Sequence, residues 1–298
     1  MDESSGSDYV SADFAKALMA SDAKVGKTTF IVGSLLGAMP WQKFGGVVDR
    51  PDHLHVLTFD ANALGGLGGF ITERCKKPKD YLRYRVYNLQ NEFRAVSRSR
   101  EEWNFELYNA VVATLEVINK RVTKEGGVHA LVFSSLTGLA EGILRAISGP
   151  PDEDRKGSGM DPSKWQGLAQ QLIDIRNYAH TDTHHCIWEA HIDRAPVFQM
   201  KKSGGEDTGP KESIHVPGAA GRSWSFNVEQ VFRLRREFGG EFEKSGVDFT
   251  YLDTRPSGTF IANGRSFNEK LKPREPDMTV AFHKLGLQVG RYGSKKSQ

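Results

Sequence analysis

Residues 15–39 read "AKALMASDAKVGKTTFIVGSLLGAM": a short apolar run (Ala15 to Ala20), a polar turn, and a longer run that Pro40 stops. The pattern predicts strand, loop, helix. It repeats along the chain. "HLHVLTF" (His53 to Phe59) is a second strand ending at Asp60, and "LRYRVYNL" a third. Trp103, Leu107, Val111, Leu115, Ile118 and Val122 then fall at steps of four and three, the stripe of a long amphipathic helix. A buried strand follows at Val128 to Phe133. A loop rich in Gly, Pro and charge leads to the helix "WQGLAQQLIDIRNYA", and a further strand spans His184 to Ile192. Strands separated by helical segments of this length imply right-handed crossovers and a mostly parallel sheet, an α/β fold. From His215 onward "EQVFRLRREF", "VDFTYLDTR" and "GTFIANGR" are strand-like with short turns, so an antiparallel extension of the same sheet is expected.

At 298 residues, 38% hydrophobic and 26% charged, the chain has enough apolar surface for a full core. The expected organisation is a polar tail at 1–12, a single domain at 13–292 and a polar tail at 293–298. Within the domain, 13–214 form the core and 215–292 a β-rich extension. No apolar run approaches the ~20 residues of a bilayer span, and "MDESSGSDYVSA" has neither the basic start nor the apolar centre of a signal peptide. A cytoplasmic protein without membrane partners is expected. The two cysteines, Cys75 and Cys186, form no disulfide framework and suit a reducing compartment.

The chemistry concentrates at Ser21 to Thr29, "SDAKVGKTT". A phosphate-binding loop of the form G-x-x-x-x-G-K-[ST] wraps backbone N–H groups around phosphate oxygens, reaches them with lysine and uses the hydroxyl for magnesium. Gly26, Lys27 and Thr28 supply its second half where a helix N-terminus points at the anion. Asp22, Ala23, Lys24 and Val25 fill the loop, and Thr29 follows. Ser21 replaces the opening glycine, at a cost of about 1 kcal/mol if its φ must be positive, so binding of ATP with Mg2+ is expected to survive.

The strand "ALVFSSLTGL" makes the arrangement specific. With Gly26 to Thr29 it resembles the RecA-like P-loop ATPases, above all short phage-encoded ATPases of the single-strand-annealing and recombination group. In that group the strand is followed by Asp, Ser and then "LTGL". Here Ser134 holds the aspartate position, where a metal-side residue would act on Mg2+ through water, and a serine brings no charge. The resemblance further implies Asp60 as the residue that orients the attacking water, and His191 as a polar sensor of the γ-phosphate. An arginine acting across a subunit boundary would be Arg265 of "IANGR", with Asn263 in the place of a lysine, or else Arg255. Each has a simpler alternative: a turn Asp, a strand-end histidine, a surface arginine.

Between Arg74 and Arg100 nine basic residues stand against two acidic ones, with Tyr81, Tyr84, Tyr87 and Phe93 interleaved. Charge for phosphates and aromatic faces for bases compose a single-strand groove, and equally a solvated face over core tyrosines. Lys76, Lys77, Arg83 and Arg85 are the candidate contacts here. Lys201 and Lys202 are candidates in a second loop whose net charge is neutral. The histidines at 180, 184 and 185 lack ligand spacing for a metal.

These readings describe a phage or mobile-element ATP-binding protein, a DNA-dependent ATPase acting in DNA recombination or replication on single-stranded DNA as a homo-oligomer. The alternative is a hydrolysis-poor, nucleotide-binding assembly or regulatory protein whose metal-side strand is degenerate at Ser134.

Overall fold

The computed structural model of the protein describes residues 14–22, 25–37, 50–59, 83–89, 100–148, 162–194, 212–216, 224, 228–237, 249–254, 271 and 274–290. Its strands are β1 (Lys16–Ser21), β2 (His53–Thr58), β3 (Tyr84–Asn88), β4 (His129–Ser134), β5 (His185–Arg194), β6 (Glu212–Ile214), β7 (Gln230–Glu237), β8 (Phe249–Asp253) and β9 (Arg274–Glu275). The helices are α1 (Lys27–Leu36), α2 (Arg100–Glu125), α3 (Leu136–Ser148), α4 (Pro162–Ala179) and α5 (Met278–Lys284).

One sheet runs in the order β3-β2-β4-β5-β1-β7-β8-β9, with β6 paired to β5 at its side. Every pairing from β3 through to β7 is parallel. The α/β fold with a mostly parallel sheet is therefore as expected. The C-terminal extension differs in one detail: β7 joins β1 in parallel, and the antiparallel part begins only at β8 and β9.

Two apolar layers hold the sheet. Leu107, Val111, Leu115, Ile118 and Val122 of α2 pack with α3 and α4 against one face, through Leu18, Leu131, Phe133 and Trp188. Phe30, Ile31 and Leu35 of α1 and Met278 and Phe282 of α5 cover the other, over Met19, Val56, Val132 and Ile187. With both faces covered, the central strands need no polar alternation, so "ALMA" and "ALVF" read as unbroken apolar runs.

One local reading is corrected and one element is added. The first helix ends at Leu36 rather than at Pro40, because Gly37 takes a left-handed conformation (φ 72) and turns its N–H back to the carbonyls of Gly33 and Ser34. Residues after β4, to which the sequence reading gave no element, form α3. The Ser135 hydroxyl accepts from the N–H of Gly138 at 3.1 Å, and Leu136, Leu139, Ala140 and Ile143 are buried at helical spacing. Strand and helix join there without a Gly or Pro, so no punctuation in the sequence separates them.

Candidate functional site

In this sheet β5 lies between β1 and β4, and all three run in parallel, so their carboxyl ends open onto one edge. Register then selects the residues that meet there. Ser21 of β1 is paired with His191 of β5, and Ser134 of β4 with Glu189 of β5. Residues 189 and 191 are two apart on a strand and share a face, the face that α1 covers.

The loop enters α1 through Gly26, whose φ of 83 is left-handed, with no atom within 4 Å of where a Cβ would stand. Glycine is needed here for the backbone angle, and the space it leaves is free for a ligand. Ser21 is buried and its hydroxyl donates to the carbonyl of Asp22 at 2.8 Å, so the serine in the opening position steadies the turn. Val25 packs at the edge of the α1 layer. Ala23 and Lys24 lie outside the described residues, and Thr29 is half-buried in the first turn of α1.

Lys27 is buried, and its ammonium donates to the Asp22 carbonyl at 3.1 Å and to Nδ1 of His191 at 3.1 Å. An ammonium has no lone pair, so Nδ1 of His191 must accept and the neutral ring carries its proton on Nε2. Burial pulls the Lys27 pKa below the ordinary lysine value, opposed by the carboxylates of Glu189 and Asp22.

Thr28 joins the other half. Its Oγ1 lies 2.8 Å from both carboxylate oxygens of Glu189 and 3.0 Å from Oγ of Ser134. A hydroxyl has a single proton. With that proton directed to the carboxylate, the short contact to Ser134 is satisfied by the Ser134 hydroxyl donating to Thr28. Glu189 is buried in an otherwise apolar stretch, "CIWEA", where an ionised group is tolerated only with such partners.

Two further hard oxygen donors, Ser134 and Glu189, thus lie within one hydrogen-bond length of the Thr28 hydroxyl. Adjacent ligands of an octahedral magnesium at ~2.1 Å lie about 3.0 Å apart, so the donor set fits Mg2+ in chemistry and the two separations from Thr28 fit it in spacing. The negative charge that Ser134 lacks stands on the neighbouring strand. Sequence reasoning passed over Glu189 although it lies two residues before His191. An acid inside a buried apolar strand was the signal available.

The remaining predicted residues divide. Phe59 donates its N–H to the Ser134 carbonyl at 2.9 Å, so β2 delivers the chain to this edge, but Asp60 itself lies outside the described residues. Lys76, Lys77, Lys201, Lys202, Arg255 and Arg265 also lie outside them. Arg83 and Arg85 are placed, and away from the site. Arg83 is buried and donates to the carbonyls of Pro51 and Asp52. Arg85 forks onto Glu125 of α2 at 2.8 and 2.9 Å. Both arginines are bound within the protein itself, at the end of the strands opposite the Ser21–Thr29 loop.

The rim of the site is tied to α3 and β6. Thr137 Oγ1 accepts from the His191 N–H at 3.2 Å and donates to the His215 carbonyl at 2.8 Å, while the His215 N–H returns to the His191 carbonyl at 2.7 Å. These bonds fix the backbone that presents His191.

No family model and no curated protein matches this chain. Among solved structures it is similar to a prototypical ATPase from the type III secretion system of pathogenic bacteria, at 12% identity, 78% of this chain, 54% of that chain and a TM-score of 0.40. It is also similar to the RadB recombinase, at 11% identity, 81% of this chain, 89% of that chain and a TM-score of 0.38. The chain spans about half the length (54%) of the secretion ATPase. No helix among the described residues is long and apolar enough to cross a membrane.

Proposed function

We propose that the chain binds a nucleoside triphosphate, ATP in the first instance, with Mg2+ at the Ser21–Thr29 loop, and hydrolyses it. The observation that carries this reading is the contact of Thr28 Oγ1 with both Glu189 oxygens at 2.8 Å, directly after the left-handed Gly26 and the buried Lys27. A carboxylate, a hydroxyl and an ammonium placed at a helix N-terminus match what a magnesium–phosphate pair requires.

Thr28, Ser134 and Glu189 would hold the metal. When bound, Mg2+ supplies neutralisation of the charge that develops on the phosphate oxygens. The Lys27 ammonium, now spent on a carbonyl and an imidazole, exchanges those partners for phosphate oxygens. His191, with its proton on Nε2, donates a hydrogen bond toward the terminal phosphate. Asp60, one residue beyond the Phe59 to Ser134 bond, is the residue we assign to orienting the attacking water. The hydrolysis-poor alternative rested on the missing charge at Ser134, and in this reading the Glu189 carboxylate supplies that charge.

Action on single-stranded DNA and assembly into a homo-oligomer, as in phage or mobile-element recombination, is the finer reading. It is supported by the composition of 74–100, without Arg83 and Arg85, and by the sequence resemblance. The test is nucleotide binding and steady-state phosphate release with Mg2+, with and without single-stranded DNA, in wild type and Lys27→Ala. Turnover that is lost in the variant supports the ATPase reading, and stimulation by DNA supports the finer one. Failure of the wild type to bind ATP overturns both.

A further inference from the structure

At the opposite end of the strands, His53 opens β2 and His129 opens β4, and the two are register partners. Their rings stand on one face of the sheet and stack with centroids 4.4 Å apart. Glu125, the last residue of α2, is returned to them through the Gly126–Gly127 turn. One ligand atom from each of His53, Glu125 and His129 lies within 4.8 Å of the others. We propose that these three residues bind a divalent transition metal of the zinc class, fastening the C-terminus of α2 to the sheet.

Four details carry the assignment. Nδ1 of His53 is buried without a hydrogen-bond partner among the described residues and lies 3.5 Å from Oε2 of Glu125. That separation is long for a hydrogen bond, yet donors at the corners of a tetrahedron ~2.1 Å from an ion lie about 3.4 Å apart. His129 donates from Nε2 to the Gly126 carbonyl at 2.9 Å, so its lone pair is on Nδ1, where it now accepts from Nε2 of His55 at 3.1 Å. A ring N–H held by a backbone carbonyl is the usual outer support of a metal-binding imidazole. Arg85 orients the Glu125 carboxylate, and each carboxylate oxygen keeps a further lone pair for an ion.

The ligand types select the metal. Two imidazoles and one carboxylate suit zinc and its neighbours, whereas magnesium and calcium prefer oxygen alone. Against binding stand the His55–His129 hydrogen bond that must be given up and the positive charge of Arg85. Three protein ligands leave a fourth position for water.

The test uses the full chain, stripped with a chelator and titrated calorimetrically with zinc chloride, beside His53→Ala and Glu125→Gln. Cobalt(II) is added in parallel to read coordination from its visible spectrum. The expected result is one equivalent of zinc, resistant to excess Mg2+, at least tenfold weaker in each variant, with the intense bands of a four-coordinate cobalt ion. Less than one equivalent in the wild type, or affinity unchanged in both variants, overturns the proposal. If the variants do not fold, the wild type decides alone: a six-coordinate cobalt spectrum or a melting temperature that zinc does not raise overturns it.

Discussion

Ser134 and Glu189 are register partners on the parallel strands β4 and β5, and both reach the hydroxyl of Thr28, at 3.0 and 2.8 Å. A serine ends β4, and the carboxylate beside it stands on β5, one strand away.

Glu189→Gln keeps the shape and removes the charge, so turnover is expected to fall about 10²–10³-fold while nucleotide binding without Mg2+ stays within a few-fold. Ser134→Asp alone sets two carboxylates side by side and is expected to leave turnover no higher. In the Glu189→Gln background it is expected to restore part of the loss. Steady-state phosphate release on the four proteins checks this, and a large gain from Ser134→Asp alone would show that Glu189 does not fill the role.

Gly26→Ala meets no atom within 4 Å, so its cost is the left-handed backbone alone, at φ 83. Strain of about 1–2 kcal/mol corresponds to a loss of roughly 5–30-fold in nucleotide affinity if the loop must keep that angle. Titration with a fluorescent ATP analogue measures it. An unchanged affinity would mean that the bound loop does not use this conformation.

Burial lowers the pKa of His55, His180 and His184 to about 3 and of His185 to about 4. The sign follows from linkage: the unfolded chain takes up protons at these residues near pH 6.5 and the folded chain does not, so stability is full above 6.5 and declines as pH falls. Each such histidine removes up to about 1.4 kcal/mol per pH unit below 6.5, so the group is comparable to the whole stability of a typical domain within one to two units. Urea midpoints from pH 8 to pH 5 are expected to drop steeply below 6.5. A flat profile would contradict neutral burial of these rings.

Arg50 donates to both oxygens of Asp277 at 2.8 and 3.0 Å and to the Ser34 carbonyl at 2.9 Å, while Asp277 caps α5 by accepting from the N–H groups of Thr279 and Val280. The pair is buried and links α1 to α5. Asp277→Ala leaves a buried guanidinium unpaired and is expected to cost about 3–5 kcal/mol, read as a lower urea midpoint. Arg50→Met with Asp277→Ala is expected to recover part of that, since no charge is then stranded.

Much of the fold was legible because it is written locally. The apolar run at 16–20, the stripe from Leu107 to Val122 and the alternation at 84–88 each report a period that backbone geometry imposes within a few residues. Gly26, Lys27 and Thr28 stood out for the same reason: the proposed phosphate-binding loop draws its residues from one continuous stretch. The helix end at Gly37 was misplaced since Pro40 is the louder stop, and α3 was missed since nothing breaks the chain between Ser134 and Leu136.

Which side chains face that loop was decided only by the tertiary structure. Thr28 and Glu189 are 161 residues apart, and they meet because crossovers place β5 between β1 and β4 in one register. Arg83 and Arg85 looked like groove residues by composition and proved to be bound to Pro51, Asp52 and Glu125. Local sequence determines which elements form, because their hydrogen bonds and periods are short-range. Strand order and register determine which charges become neighbours, and those depend on how the whole apolar surface is buried.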